Sequence, residues 1–142
     1  MEYIVAYALS FVGTPYIYGS NHPEIGLDCS GLVCEILKSG GAIGTKEDLS
    51  AQQIFDRFQH DGRWNQFGPG TLAFYGKSVT QITHVAIMID NLRIVEAGGG
   101  DSTTVTVKDA VAKNAFVRVR PVKYRGDLVA LIRPPFPLIG VP

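Results

Sequence analysis

The stretch LDCSGLVCEIL, Leu27 to Leu37, holds both cysteines of the chain, Cys29 and Cys34, five positions apart. Cys29 stands between Asp28 and Ser30, at the head of a segment in which Leu32, Val33, Ile36 and Leu37 recur at helical spacing. Unpaired amides and the dipole at a helix start favour negative charge, so a thiolate is stabilised there, and the Gly-rich loop before it leaves room for a substrate. Cys34 follows Val33 without polar company and reads as a small buried hydrophobe. On a helix the two thiols point about 140° apart, which argues against a disulfide between them. No C-x-x-C pair and no H-x-x-x-H pair is present, so neither a zinc site nor another metal or cofactor is expected.

A cysteine nucleophile needs a base. The chain offers His22, His60 and His84. His22 lies in a loop between Asn21 and Pro23, and His60 sits where it would cap the last carbonyls of a helix. His84 opens THVAIMID, where Val85, Ile87 and Ile89 alternate with His84, Ala86 and Met88, so the imidazole lies on the face opposite Val85. On spacing alone it is either a structural residue or the base. A base in turn needs an orienting partner. Asp90 is too far along the same strand, whereas Glu96 lies on the next one, between Val95 and Ala97. A tight hairpin turn at Asp90-Asn91 brings His84 opposite the neighbourhood of Ala97, with Glu96 and Gly98 adjacent.

Helices and strands must carry these groups to one place. Ile4, Val5, Ala8, Leu9 and Val12 predict a helix over 2–12, stopped by Gly13 and Pro15. Residues 13–28 read as a long Gly/Pro/Asn-rich loop, and a second helix runs from Cys29 to Ser39, with Asp28 as its N-cap and Gly40-Gly41 as its end. A third helix is expected over 48–59. Beyond it, six stretches rich in β-branched and aromatic residues predict strands: 71–76, 83–90, 92–98, 103–109, 115–121 and 127–134. Helices first and an antiparallel sheet after is an α+β arrangement, and the 142 residues read as a single domain spanning 1–142.

The 13 basic and 13 acidic residues cancel, so there is no bulk electrostatic pull toward nucleic acid or an anionic membrane, and neither is expected as a partner. The opening MEYIVAYALSFVG has no basic n-region and no A-x-A site, which disfavours a signal peptide. No apolar run approaches the length needed to span a bilayer.

Taken together, GTPYIYGSNHPEIGLDCSGLVCEIL resembles the signature of the NlpC-type cell-wall cysteine peptidases (the NlpC/P60 family), in which G-x-P-Y-x-x-G precedes D-C-S-G-L-V. Gly13, Pro15, Tyr16 and Gly19 match the first part and Asp28 to Val33 the second. THVAI at 83–87 is similar to the family's G-H-V-G-I, with Thr83 and Ala86 replacing glycines, and GPGTLAFY at 68–75 to P-G-D-L-x-F-F, with Thr71 in place of Asp. The resemblance implies a papain-like α+β fold, N-terminal helices on an antiparallel sheet of about five to six strands. It implies a nucleophile–base pair carried over to Cys29 and His84. The third family position, commonly His, falls on Glu96, with Asp101 as a fallback if the register slips. A carboxylate there would hold the imidazole by a charge-assisted bond.

The activity implied is hydrolysis of amide bonds in bacterial peptidoglycan stem peptides, at the γ-D-glutamyl link to a diamino acid. Tyr16 would add a hydroxyl to the oxyanion or the substrate, and Asp28 and Ser30 would meet the free amine of a stem peptide, with a plain N-cap as the competing role for Asp28. The acting place would be the cell wall, outside the cell, in the periplasm or on a virion. A stand-alone catalytic domain would suit a phage-encoded lysin or tail component, or a piece of a larger protein. Three alternatives compete: a thiol acyltransferase or amidase on the same fold, a non-catalytic cell-wall binding module, and a disulfide-linked structural domain.

Overall fold

The computed structural model describes residues 1–142. The first helix, α1 (Glu2–Ser10), buries Ile4 and Ala8, while Leu9 and Val12 of the expected stripe face solvent and Phe11 takes the inward place. The expected loop over 13–28 contains a small hairpin, β1 (Asn21–His22) with β2 (Gly26–Leu27). Next comes α2 (Cys29–Ser39), with the limits its local signals predict, then α3 (Ala51–Phe58), shorter than expected because Ser50 caps it. Ser50 and Gln53 form a reciprocal capping box there.

The sheet follows: β3 (Arg63–Trp64), β4 (Leu72–Gly76), β5 (Ile82–Met88), β6 (Arg93–Gly98), β7 (Phe116–Pro121) and β8 (Leu128–Arg133). These six strands are antiparallel in the order β3-β8-β4-β5-β6-β7. The strand expected over 103–109 is not one. Val107–Lys113 is a helix, α4, started by Thr106 and Asp109 in a second capping box. The reciprocal bonds of Thr106 and Asp109, which satisfy the amides of Asp109, Thr106 and Val105, outweigh the β-branched composition of Thr103 to Val107.

The α+β, papain-like arrangement therefore stands. One face of the sheet, through Leu72, Phe74, Val85, Ile87 and Val95, packs with α1, α2 and α3 into the main core. The other face carries a smaller cluster that includes Ala73, Tyr75, Ala86, Met88 and Ile94. Alternation along β5 is interrupted at Thr83: Tyr75 pairs with His84 but Gly76 with Ile82, a β-bulge. The bulge lets Ile82 rejoin the helix-side core although it is two residues from His84.

Candidate active site

Cys29 is the first residue of α2, and the loop before it is tied back onto that helix start. Asp28 accepts from the Gly31 amide at 2.7 Å through Oδ1 and from the Gly19 amide at 3.0 Å through Oδ2. Its Oδ1 also accepts from the Ser30 hydroxyl at 3.3 Å. Burial pushes the Asp28 carboxyl up from its ordinary value, and the two amides and the hydroxyl pull against that shift. Gly31 is required by closeness, since a Cβ there would come within 2.3 Å of the Ser20 carbonyl oxygen. The amides of Cys29 and Ser30 are taken up by no other protein group, so both remain available to a ligand at the sulfur.

His84 meets Cys29 from the sheet. Its Nε2 lies 2.7 Å from Oε1 of Glu96, which leaves Nδ1 for the thiol. His84 is 7% exposed and Glu96 1%. Burial alone would strip the proton from His84. Hydrogen bonding and charge from Cys29 and Glu96 outweigh it and raise the ring to about 9. Glu96 shows the converse balance: burial favours its neutral acid, yet the bonds from His84 and Tyr124 and the charge of Arg120 hold it below the usual range.

The β5–β6 register differs by one step from the expected one. Asp90 Oδ1 accepts from the amides of both Leu92 and Arg93, and the Ile89 amide donates to the Arg93 carbonyl. The turn thus holds Asp90, Asn91 and Leu92, and Ile87 pairs with Val95 and Met88 with Ile94. Even-numbered residues then face even-numbered ones, which sets His84 and Glu96 on one face of the sheet. The register expected from a two-residue turn would have turned Glu96 away.

Of the other residues singled out, Tyr16 and Tyr18 line the hollow at Cys29, about 330 Å³, together with Ser30, Gln52 and Thr83. Burial, then the charges of Cys29 and Asp28, push the Tyr16 phenol up, so it stays a neutral donor. The hollow adjoins a polar recess of about 190 Å³ at Asp28, Asp48 and Ser50, and Thr83 also borders a third space of about 450 Å³ with Lys77, Gln81 and Asp127. A larger surface hollow, about 750 Å³, lies at Phe67, Leu92 and Val122 and touches none of Cys29, His84 and Glu96. Cys34 is buried, donates to the Leu49 carbonyl at 3.4 Å, and is pushed up to about 11 by burial. The two thiols are free. His22 and His60 stand apart from this cleft. Asp101 serves Thr103 and Lys113 rather than His84.

Sequence reasoning missed Tyr124 and Arg120. The Tyr124 hydroxyl donates to Glu96 Oε1 at 2.5 Å, and Arg120 Nε stands 3.0 Å from Oε2. Tyr124 lies 28 residues beyond Glu96, in the turn after β7, where no local pattern marks it. Arg120 left a trace: in FVRVRP the two arginines alternate with valines, which sets a basic side chain on a face of a strand that neighbours Glu96.

The model of the NlpC/P60 family matches residues 13–121. Over 104 residues the chain is 28% identical to the gamma-DL-glutamyl hydrolase of Bacillus subtilis strain 168, covering 72% of this chain and 24% of that protein. Over 97 residues it is 34% identical to the bifunctional muramidase/DL-endopeptidase CwlT of the same organism, covering 66% of this chain and 28% of that one. The chain thus spans about a quarter of the length of these curated relatives. Among solved structures it superposes on RipD of Mycobacterium tuberculosis, described as a non-catalytic NlpC/p60 domain protein adapted to peptidoglycan binding. That match has a TM-score of 0.62 and 21% identity, and covers 93% of this chain and 95% of the other.

Proposed function

The chain belongs to the NlpC/P60 family, whose members are peptidoglycan hydrolases and binding domains, and from that premise we propose that it is a cysteine endopeptidase of bacterial stem peptides. Cys29 is the nucleophile, His84 the acid and base, and Glu96 the orienting residue. The bond cleaved is the γ-D-glutamyl link to a diamino acid, the acting place is the cell wall, and residues 1–142 make up one catalytic domain.

The geometry supports the following reaction. The Cys29 thiolate attacks the amide carbonyl carbon. The resulting oxyanion lies by the free amides of Cys29 and Ser30 and the neutral Tyr16 hydroxyl. As the C–N bond breaks, Nδ1 of the His84 imidazolium gives its proton to the leaving amine, and a thioester remains on Cys29. The neutral ring then takes a proton from water while the water oxygen attacks the thioester. Collapse expels the thiolate and releases the carboxylic acid, with His84 again protonated. Asp28 acts first as the cap of α2, and Ser30 borders the recess where the amine of a stem peptide would sit.

The observation that carries this reading is the 2.7 Å contact of Glu96 with Nε2 of His84, which leaves the other ring nitrogen free in a ring that neighbours the thiol at a helix start. The likeness to a non-catalytic relative makes binding without cleavage the competing reading. Purified peptidoglycan digested with the protein, and the soluble fragments read by mass spectrometry, separates the two. New amino termini on the diamino acid are expected, absent from a Cys29→Ala digest. Binding to the sacculus without release of fragments, or release that survives Cys29→Ala, overturns the assignment. In parallel, iodoacetamide at pH 6–7 should label Cys29 far faster than buried Cys34, and His84→Ala should erase that difference.

A further inference from the structure

Glu96 is buried and negatively charged, and its two oxygens have different company. Oε1 receives Nε2 of His84 at 2.7 Å and the Tyr124 hydroxyl at 2.5 Å. Oε2 faces Arg120 Nε at 3.0 Å, a contact of charge rather than an aligned hydrogen bond. The Arg120 guanidinium also lies 4.8 Å above the Tyr124 ring, so the two side chains brace one another. In the β6–β7 register Glu96 pairs with Arg118 and Ile94 with Arg120. Both arginines follow the face of Glu96, yet Arg118 turns to the carbonyls of Phe116 and Asn114, and Arg120 alone reaches the carboxylate.

We propose that Arg120 and Tyr124 are positioning residues that let a carboxylate partner His84 through both halves of the reaction, Arg120 by offsetting part of its charge and Tyr124 by fixing Oε1. The inference rests on the peptidase reading above. In the free protein the ring lies between the Cys29 sulfur and a carboxylate, and both favour its proton. Once Cys29 is acylated it carries no charge, and Glu96 alone opposes release of that proton. Attack by water needs the ring neutral. A bare buried carboxylate 2.7 Å away would keep the imidazolium and stall the thioester. Arg120 on one oxygen and the Tyr124 hydroxyl on the other reduce the basicity of Glu96 while leaving its hold on Nε2 in place.

The remaining groups around the ring do not supply this effect. Tyr75 presents its ring at 5.5 Å and spends its hydroxyl on the Val122 carbonyl. Asp127, from the turn before β8, is paired through two bonds with Arg125, at 2.9 and 2.8 Å.

The test is the NMR titration of the His84 ring in a Cys29→Ala background, which mimics the uncharged acyl sulfur and requires no turnover. Arg120→Met is expected to move the ring's titration up by about one pH unit, Tyr124→Phe up by less, and Glu96→Gln down. Combining Glu96→Gln with Arg120→Met should place it between the Glu96→Gln and the unsubstituted values, because Arg120 offsets only part of the Glu96 charge. Arg120→Lys keeps the charge and should keep the titration, which separates a charge effect from damage to the fold. With Cys29 restored, the acid limb of kcat should shift in the same order. A titration unmoved by Arg120→Met, or moved in the same direction as by Glu96→Gln, overturns the inference, as does lost activity with an unshifted profile. Failure of the unsubstituted protein to hydrolyse peptidoglycan overturns the peptidase reading instead, and the titration alone then decides the electrostatic claim.

Discussion

His84 illustrates how far two neighbours, Cys29 and Glu96, can move one side chain. Its ring is held protonated well above its ordinary 6.5, to about 9, against the opposing effect of burial. Glu96 is held ionised below its ordinary 4.5, also against burial. Both shifts carry a sign for stability. A raised histidine stabilises the fold fully below its unfolded value near 6.5 and loses that contribution as pH climbs through about 9. A depressed carboxylate contributes above its unfolded value near 4.5 and loses it as pH falls through its folded value. The thermal midpoint is therefore expected to crest between about pH 4.5 and 6.5, with a shoulder of loss on either side. Glu96→Gln should flatten both shoulders relative to the unsubstituted chain, as read by calorimetry from below pH 4.5 to beyond pH 9. Identical profiles for the two proteins would contradict the pairing. The same logic explains why Cys34, where burial outweighs the Leu49 carbonyl bond and the pull of Lys38, is left as packing.

At the scale of elements, α2 was legible in the sequence to the residue because its signals are local: an Asp cap, an apolar stripe at helical spacing, and Gly-Gly at the end. Asp28 also reaches the Gly19 amide, so one side chain joins the helix start to the loop that borders the cleft. Asp28→Ala should cost about 1–2 kcal/mol in urea denaturation, and Asp28→Asn less, since an amide oxygen still caps. A cost near zero for Asp28→Ala would mean that the cap is dispensable and its place is for substrate alone. The segment 103–109 was misread for a different reason. Threonine and valine raise strand propensity, but Thr106 and Asp109 form a reciprocal capping box that starts α4. The bulge at Thr83 was invisible too, because an extra residue in a strand leaves no mark in composition.

Across the whole molecule, the cleft depends on two layers staying in fixed relation, helices on one side and sheet on the other. Gln52 of α3 spans them: its Nε2 donates to the Val79 carbonyl at 2.9 Å and its Oε1 accepts from the Ile82 amide at 2.8 Å. It thus clamps the β4–β5 turn, two residues before His84, to a helix that borders the Cys29 hollow. Gln52→Ala is expected to destabilise the fold by about 1–2 kcal/mol and to lower kcat/KM several-fold, with both effects measured on the same preparation. Destabilisation without a change in kcat/KM would show that the clamp serves the fold only. The sequence by itself determined the α+β class, the helix that carries Cys29, and the strand that carries His84, since each rests on neighbours within a few residues. Only the tertiary structure decided that Glu96 shares a face with His84, that Tyr124 and Arg120 close on its oxygens, and that Asp101 does not. Those facts turn on a one-residue step in strand register and on contacts between residues far apart in the chain, and neither leaves a local pattern to read.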